Sequence, residues 1–123
     1  MALEWTFRND LPIYSQLVER IKLGIISGAL PPGARLNSVR DLAMEAGVNP
    51  NTMQRALSEL EREGLVYSQR TAGRFVTEDQ AVIEQAKKIL ADGQIKSFLA
   101  AMRELGYDRA EILALLKEEK EEN

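Results

Sequence analysis

The chain has 123 residues, 45% of them hydrophobic, which is enough for one main domain with a packed core and a short appendage. It contains no cysteine and no histidine, which excludes a disulfide framework, thiol chemistry, the commonest general base and the commonest zinc ligand. Net charge is −3, yet residues 1–78 balance at nine basic and nine acidic side chains, so the acidic excess lies in residues 79–123.

Residues 1–9 read as an extended lead-in, in which Trp5 and Phe7 alternate with polar neighbours as in a short strand. Asp10 is expected to cap a helix with Pro12 in its first turn. Ile13, Leu17, Ile21 and Ile25, with Tyr14, Val18 and Ile26 beside them, give that helix a broad apolar face, and Gly28 ends it. Leu30-Pro31-Pro32-Gly33 forms a stiff turn.

Ser38 to Leu65 reads as two helices joined by a sharp turn. Ser38 can cap the first, with Asp41 three residues on, and Gly47 can stop it in a left-handed conformation. Asn49 is a good N-cap for the second, where Pro50 sits at a position that needs no N–H. Met53, Ala56, Leu57 and Leu60 line one side of that helix, and Asn51, Gln54, Arg55 and Ser58 lie opposite. A short helix, a glycine turn and a second helix that opens with polar side chains form a helix-turn-helix. Leu65–Gln69 and Arg74–Thr77 have strand character around a Thr71-Ala72-Gly73 turn, which adds a hairpin wing.

The pattern then turns helical to the end. Asp79 can cap a helix that carries Val82, Ala86, Ile89, Leu90, Ile95, Phe98, Leu99, Met102 and Leu105, has a kink or a tolerated defect at Gly93, and stops at Leu105 before Gly106. Asp108 caps another with Ile112, Leu113, Leu115 and Leu116, and the acidic end from Glu118 to Asn123 frays. Two amphipathic helices have too little core of their own, so a second copy of the chain is the expected partner. Ile95, Phe98, Leu99, Met102, Leu105, Ile112 and Leu116 are the expected dimerisation residues, centred near Phe98 and Met102.

The expected fold is mainly α with a small β-hairpin wing: a winged helix-turn-helix domain over residues 1–78, then a two-helix dimerisation tail over residues 79–123. No apolar run approaches the length of a membrane span, and the N-terminus lacks the basic-then-apolar order of a signal peptide, so a cytoplasmic protein is expected. An enzyme is disfavoured. The carboxylates that remain fall in helix-surface patterns such as Glu59, Glu61 and Glu63, which suit solvation better than catalysis, and no cofactor or metal motif is present.

Eight of the nine basic residues before position 79 are arginines, and Arg35, Arg40, Arg55, Arg70 and Arg74 lie in or beside the reading unit. The planar guanidinium fork suits both phosphates and base edges. Asn51 and Gln54 carry the amides that pair adenine, Arg40 can reach guanine or phosphate, and Ser38, Thr52 and Arg35 suit phosphates. Double-stranded DNA is therefore the expected partner. The alternative is a winged-helix protein-interaction module that no longer reads DNA, against which the polar start of the second helix speaks.

Pro12-Ile13-Tyr14-x-Gln16, Gly28-x-Leu30-x-Pro32-Gly33, Ser38-Val39-Arg40-Asp41-Leu42-Ala43, Val48-Asn49-Pro50-Asn51-Thr52, Leu60-Glu61-x-x-Gly64-Leu65 and Gly73-x-Phe75-Val76 follow one another in an unbroken order. Together they resemble the GntR family of bacterial transcription regulators over residues 11–77. The Asn-Pro-Asn-Thr run and the short tail resemble its YtrA-type subfamily. The resemblance implies DNA contacts from Ser38, Arg40, Asn49, Asn51, Thr52, Gln54, Arg70 and Gly73, a dimeric repressor on a palindromic operator, and an ABC-transporter operon as target. It also leaves room for a small-molecule effector, which no residue identifies. Four positions depart from the family pattern: Asn37 stands where proline is usual, Thr71 and Arg74 replace a second wing glycine and a threonine, and Pro50 occupies a site that is basic in some members.

Overall fold

The structure is a computed structural model that describes residues 3–119. Among these residues the order is α1 (Ile13–Ser27), α2 (Val39–Ala46), α3 (Pro50–Arg62), β1 (Val66–Gln69), β2 (Gly73–Val76), α4 (Gln80–Glu104) and α5 (Arg109–Glu118). The fold is mainly α with one antiparallel hairpin after the second helix of a helix-turn-helix, the winged architecture that the sequence implies.

α1 buries Leu17, Val18, Ile21 and Ile25 and ends on Gly28 at φ 86°. Its start differs from expectation. The N-cap is Pro12, and Asp10 makes an ion pair with Arg8 at 2.6 Å instead of capping. Proline drives the residue before it out of the helical region, so Leu11 cannot be the first helical residue and Asp10 lies two positions before the observed cap.

The lead-in is not a strand either, although the alternation behind that reading is present. Leu3, Trp5 and Phe7 pack partly buried against the core while Glu4, Thr6 and Arg8 face out. Gln16 replaces a pairing strand: its Oε1 accepts from Arg8 N at 2.7 Å, and its Nε2 donates to Arg8 O at 2.9 Å and Leu11 O at 3.0 Å.

α2 and α3 form as read. Ser38 Oγ accepts from Asp41 N, Gly47 takes φ 70°, and Asn49 Oδ1 accepts from Asn51 N at 2.7 Å. Met53, Ala56, Leu57 and Leu60 then close the core against α1 and α2. In the hairpin Tyr67 pairs with Phe75 and their rings stack at 5.7 Å. The strands sit slightly off their expected bounds: Leu65 and Thr77 lie just outside them, joined by the bond from Thr77 N to Leu65 O at 2.9 Å, and Gly73 opens β2 rather than closing the turn. The segment before α2 adds a short third pairing to the outer edge of β2. Leu36 N donates to Arg74 O, and Val76 N donates to Ala34 O, each at 2.9 Å.

α4 runs through Gly93 without a break and ends at Glu104, one residue before the expected stop. α5 starts with a full capping box. Asp108 and Glu111 each accept the other's backbone N–H at 2.9 Å.

The described residues form two compact units that divide between Lys87 and Lys88. The reason is local. Ile83 is buried in the core of the first unit, and Val82 and Ala86 pack against that core, so the first turns of α4 complete it. In the second unit Ile89, Ile95, Phe98, Leu105, Leu113 and Leu116 are exposed, with Leu105 at 72%. Ile112 is 2% exposed. It was expected at a dimer interface, but it is already covered within the chain and has no surface left for a partner. Among the described residues no helix is long and apolar enough to cross a membrane.

Candidate nucleic-acid interface

The core and the polar surface use opposite sides of α3. Its apolar stripe is buried, so Asn51, Gln54, Arg55 and Ser58 stand exposed on the other side. Three ion pairs hold the far end of the helix. Lys22 on α1 reaches Glu63 at 2.8 Å, both largely shielded from solvent. Arg74 of the wing reaches Glu61 at 3.4 Å, and Arg62 pairs with Glu59. The Arg62 hydrogen bond holds the Glu59 carboxyl below its usual value, and Glu59 in turn raises Arg62. The three glutamates read as a solvated surface are each engaged with a cation.

The expected contact residues fall into two groups. Ser38 and Arg40 open α2, and Arg35 lies beside them. Arg35, Ser38, Val39, Gly73 and Arg74 line a concavity of about 530 Å³ between the start of α2 and the wing. The first N–H groups of a helix lack internal acceptors. The Ser38 side chain takes up Asp41 N, so the N–H groups of Val39 and Arg40 remain at the positive end of the helix dipole. Together with the Arg35 guanidinium this is chemistry for a phosphate oxygen. Gly73 has a steric reason to be glycine. Its φ is 105°, and a Cβ there would lie 3.2 Å from Arg35 Nε. Arg70 sits exposed at the hairpin turn.

The second group is the start of α3. Asn51 is exposed, and Thr52 is half-buried beside it. Gln54 is exposed, but its Nε2 donates to Ser58 Oγ at 3.2 Å. Other residues in the expected set are also engaged in the fold. Asn49 Oδ1 is used as the α3 cap, and Arg74 is 20% exposed and turned to Glu61. Arg55 is held too, with its guanidinium 4.4 Å from the centre of the Tyr14 ring.

Sequence reasoning did not find Tyr14, Ser68 or Glu61 as partners of these side chains. It also did not find the bond from Asn37 Nδ2 to Glu45 Oε2 at 2.9 Å, which ties the loop where the family pattern has proline. These pairings cross between elements, and no local spacing marks them.

The model of the bacterial regulatory proteins of the gntR family matches residues 13–76. Two relatives from Bacillus subtilis align over most of both chains. The uncharacterised HTH-type transcriptional regulator YhcF is 37% identical over 111 residues, covering 90% of this chain and 92% of its own. The HTH-type transcriptional repressor YtrA is 31% identical over 112 residues, covering 90% and 86%. A GntR family transcriptional regulator from Listeria monocytogenes superposes with a TM-score of 0.84 at 38% identity, over 93% of this chain and 100% of that one. The AraR DNA-binding domain, solved in complex with operator ORX1, superposes with a TM-score of 0.56 at 30% identity, over 63% and 99%. With the helix-turn-helix, the wing and the two groups of polar residues in place, this chain belongs to the GntR family of bacterial regulatory proteins.

Proposed function

We propose that the protein is a cytoplasmic repressor that reads a palindromic operator as a homodimer. The observation that carries this reading is the start of α3. Asn51 and Gln54 project from the side of the helix opposite the core, flanked by the anion-suited start of α2 and by the wing. An amide at that place can pair a base edge in two positions, while Arg35, Ser38 and Arg40 fix the backbone. The operator complex of the related AraR domain supports DNA as the partner, and the relation to the YtrA repressor supports repression.

The tail supports the dimer. Ile95, Phe98, Leu105 and Leu116 are exposed apolar side chains, with Leu99 and Met102 half-buried among them. A second copy is the partner that a symmetric regulator supplies, and a two-fold dimer reads a two-fold operator. The YtrA-type resemblance extends the reading to an ABC-transporter operon as target.

The test is selection of bound duplexes from a random library by the full chain, followed by sedimentation of the complex. Enrichment of one inverted repeat, bound by two chains, is the expected result. Recovery of no common sequence would overturn the reading and favour a protein-interaction module.

A further inference from the structure

The wing and α3 share one carboxylate. Glu61 lies near the end of α3, and its Oε1 accepts from Ser68 Oγ at 2.9 Å and from Arg74 Nε at 3.4 Å. Ser68 and Arg74 are partners across the hairpin, one rung before Gln69 and Gly73, where the turn begins. A single side chain of the reading helix therefore ties both strands of the wing at one level, close to the tip. Arg74 is the wing cation drawn into this arrangement. Its side chain is 20% exposed, against 40% for Glu61.

We propose that Glu61 is a positioning residue that sets specificity: it fixes the wing against α3 and withholds the charge of Arg74 from the DNA backbone. The proposal rests on the DNA-reading function above. A free arginine beside DNA adds affinity for every sequence through counterion release, and specificity is the difference between operator and random affinity. Arg74 held by Glu61 contributes little to random binding. A wing held in place meets the operator without first being ordered, and that saving applies only where the wing seats correctly. Releasing the clamp strengthens random binding and gives the operator less in return.

The test compares the full-length wild type with Glu61→Gln, Glu61→Ala, Arg74→Ala and the double variant Glu61→Ala/Arg74→Ala. Each is titrated with the selected operator and with a scrambled duplex at several salt concentrations. Expected for both Glu61 variants is a three- to tenfold gain on the scrambled duplex and a salt slope steeper by about one per chain. The operator-to-scrambled ratio falls, and the double variant loses the gain. Simple damage to the fold would weaken binding instead. Glu61→Gln is nearly isosteric at an exposed site and keeps the test available should Glu61→Ala fail to fold. Hydrogen exchange across Ser68–Arg74 in the free protein should quicken in Glu61→Ala, with α1 unchanged.

Scrambled-duplex affinity and salt slope that stay level or fall in both Glu61 variants overturn the proposal, as does a gain that survives in the double variant. Asn51→Ala, run alongside, separates the two readings. If it loses base preference while the Glu61 variants change nothing, the proposal alone fails. If wild type binds the selected operator and the scrambled duplex alike, the DNA-reading function fails and takes the proposal with it.

Discussion

The guanidinium of Arg55 lies over the ring of Tyr14, 4.4 Å from its centre, and so joins the outer side of α3 to the start of α1. The contact gives a long, flexible side chain one preferred position before any ligand arrives. Cation–π pairs at such partly exposed sites contribute roughly 0.5–1 kcal/mol.

Tyr14→Leu keeps an apolar side chain on α1 and removes the ring face. The expected outcome is a small loss of thermal stability and a two- to fivefold loss of duplex affinity. Arg55→Ala should lose more affinity, and Tyr14→Leu should cost little further in that background. Duplex titration of the two single variants and the double variant measures this coupling. Additive losses would show that Tyr14 does not hold Arg55 for binding.

The position of the unit boundary changes what a truncation does. Ending the chain after Glu78 strips Val82, Ile83 and Ala86 from the first unit, and Ile83 is buried there. Loss of one such side chain costs about 2–5 kcal/mol. A chain ending at Glu78 should therefore melt far lower than one ending at Lys87. The longer fragment should fold and sediment as a monomer with weakened operator binding. Equal melting temperatures for the two fragments would place the start of α4 outside the core.

Two tail residues that looked equivalent in sequence should behave differently. Phe98 is exposed, and an aspartate there meets water in the single chain but an apolar surface in a dimer. Phe98→Asp should shift the protein to monomer at micromolar concentration. Ile112 is buried within the chain, so Ile112→Ala should lower stability by about 2–5 kcal/mol by leaving a cavity. Sedimentation and thermal melts of both variants distinguish the two effects. An unchanged dimer in Phe98→Asp would put the interface elsewhere.

What the sequence made legible follows the range of each signal. α2 and α3 could be read closely because caps, glycine stops and apolar spacing all act within a few residues: Ser38, Gly47, Asn49 and Gly64 each mark a boundary by local geometry. Asp10 misled because a local cap signal competed with the steric demand of Pro12, and the proline won. Trp5 and Phe7 show the limit of alternation, which reports an extended segment with one covered side but not whether another strand is there to pair. Ile112 and Phe98 share the same apolar periodicity, and only the packed tail shows which is covered. The Glu61–Ser68–Arg74 cluster lay beyond reach for the same reason, since it joins residues up to 13 positions apart through tertiary contact.

Asn49, Asn51 and Arg40, one set in the sequence, stand in different surroundings in the structure and should divide the work. Asn49 Oδ1 accepts from Asn51 N at 2.7 Å and is spoken for as the cap of α3. Asn49→Ala should cost ~1 kcal/mol of stability and weaken operator and scrambled duplex about equally. Asn51 stands two residues further on and is exposed, where its amide can pair a base edge. Asn51→Ala should cost ~1–3 kcal/mol at one base pair and almost nothing on scrambled DNA. Arg40 is exposed near the start of α2, beside the free N–H groups that suit phosphate. Arg40→Ala should weaken all sequences and reduce the salt slope by about one counterion per chain. Titration of the three variants against the operator, its single-base variants and scrambled duplex, at two salt concentrations, measures each part. Loss of affinity for a single base identity in Arg40→Ala, with the salt slope unchanged, would make Arg40 a direct reader. Altered base preference in Asn49→Ala would show that its amide leaves the cap to meet the groove.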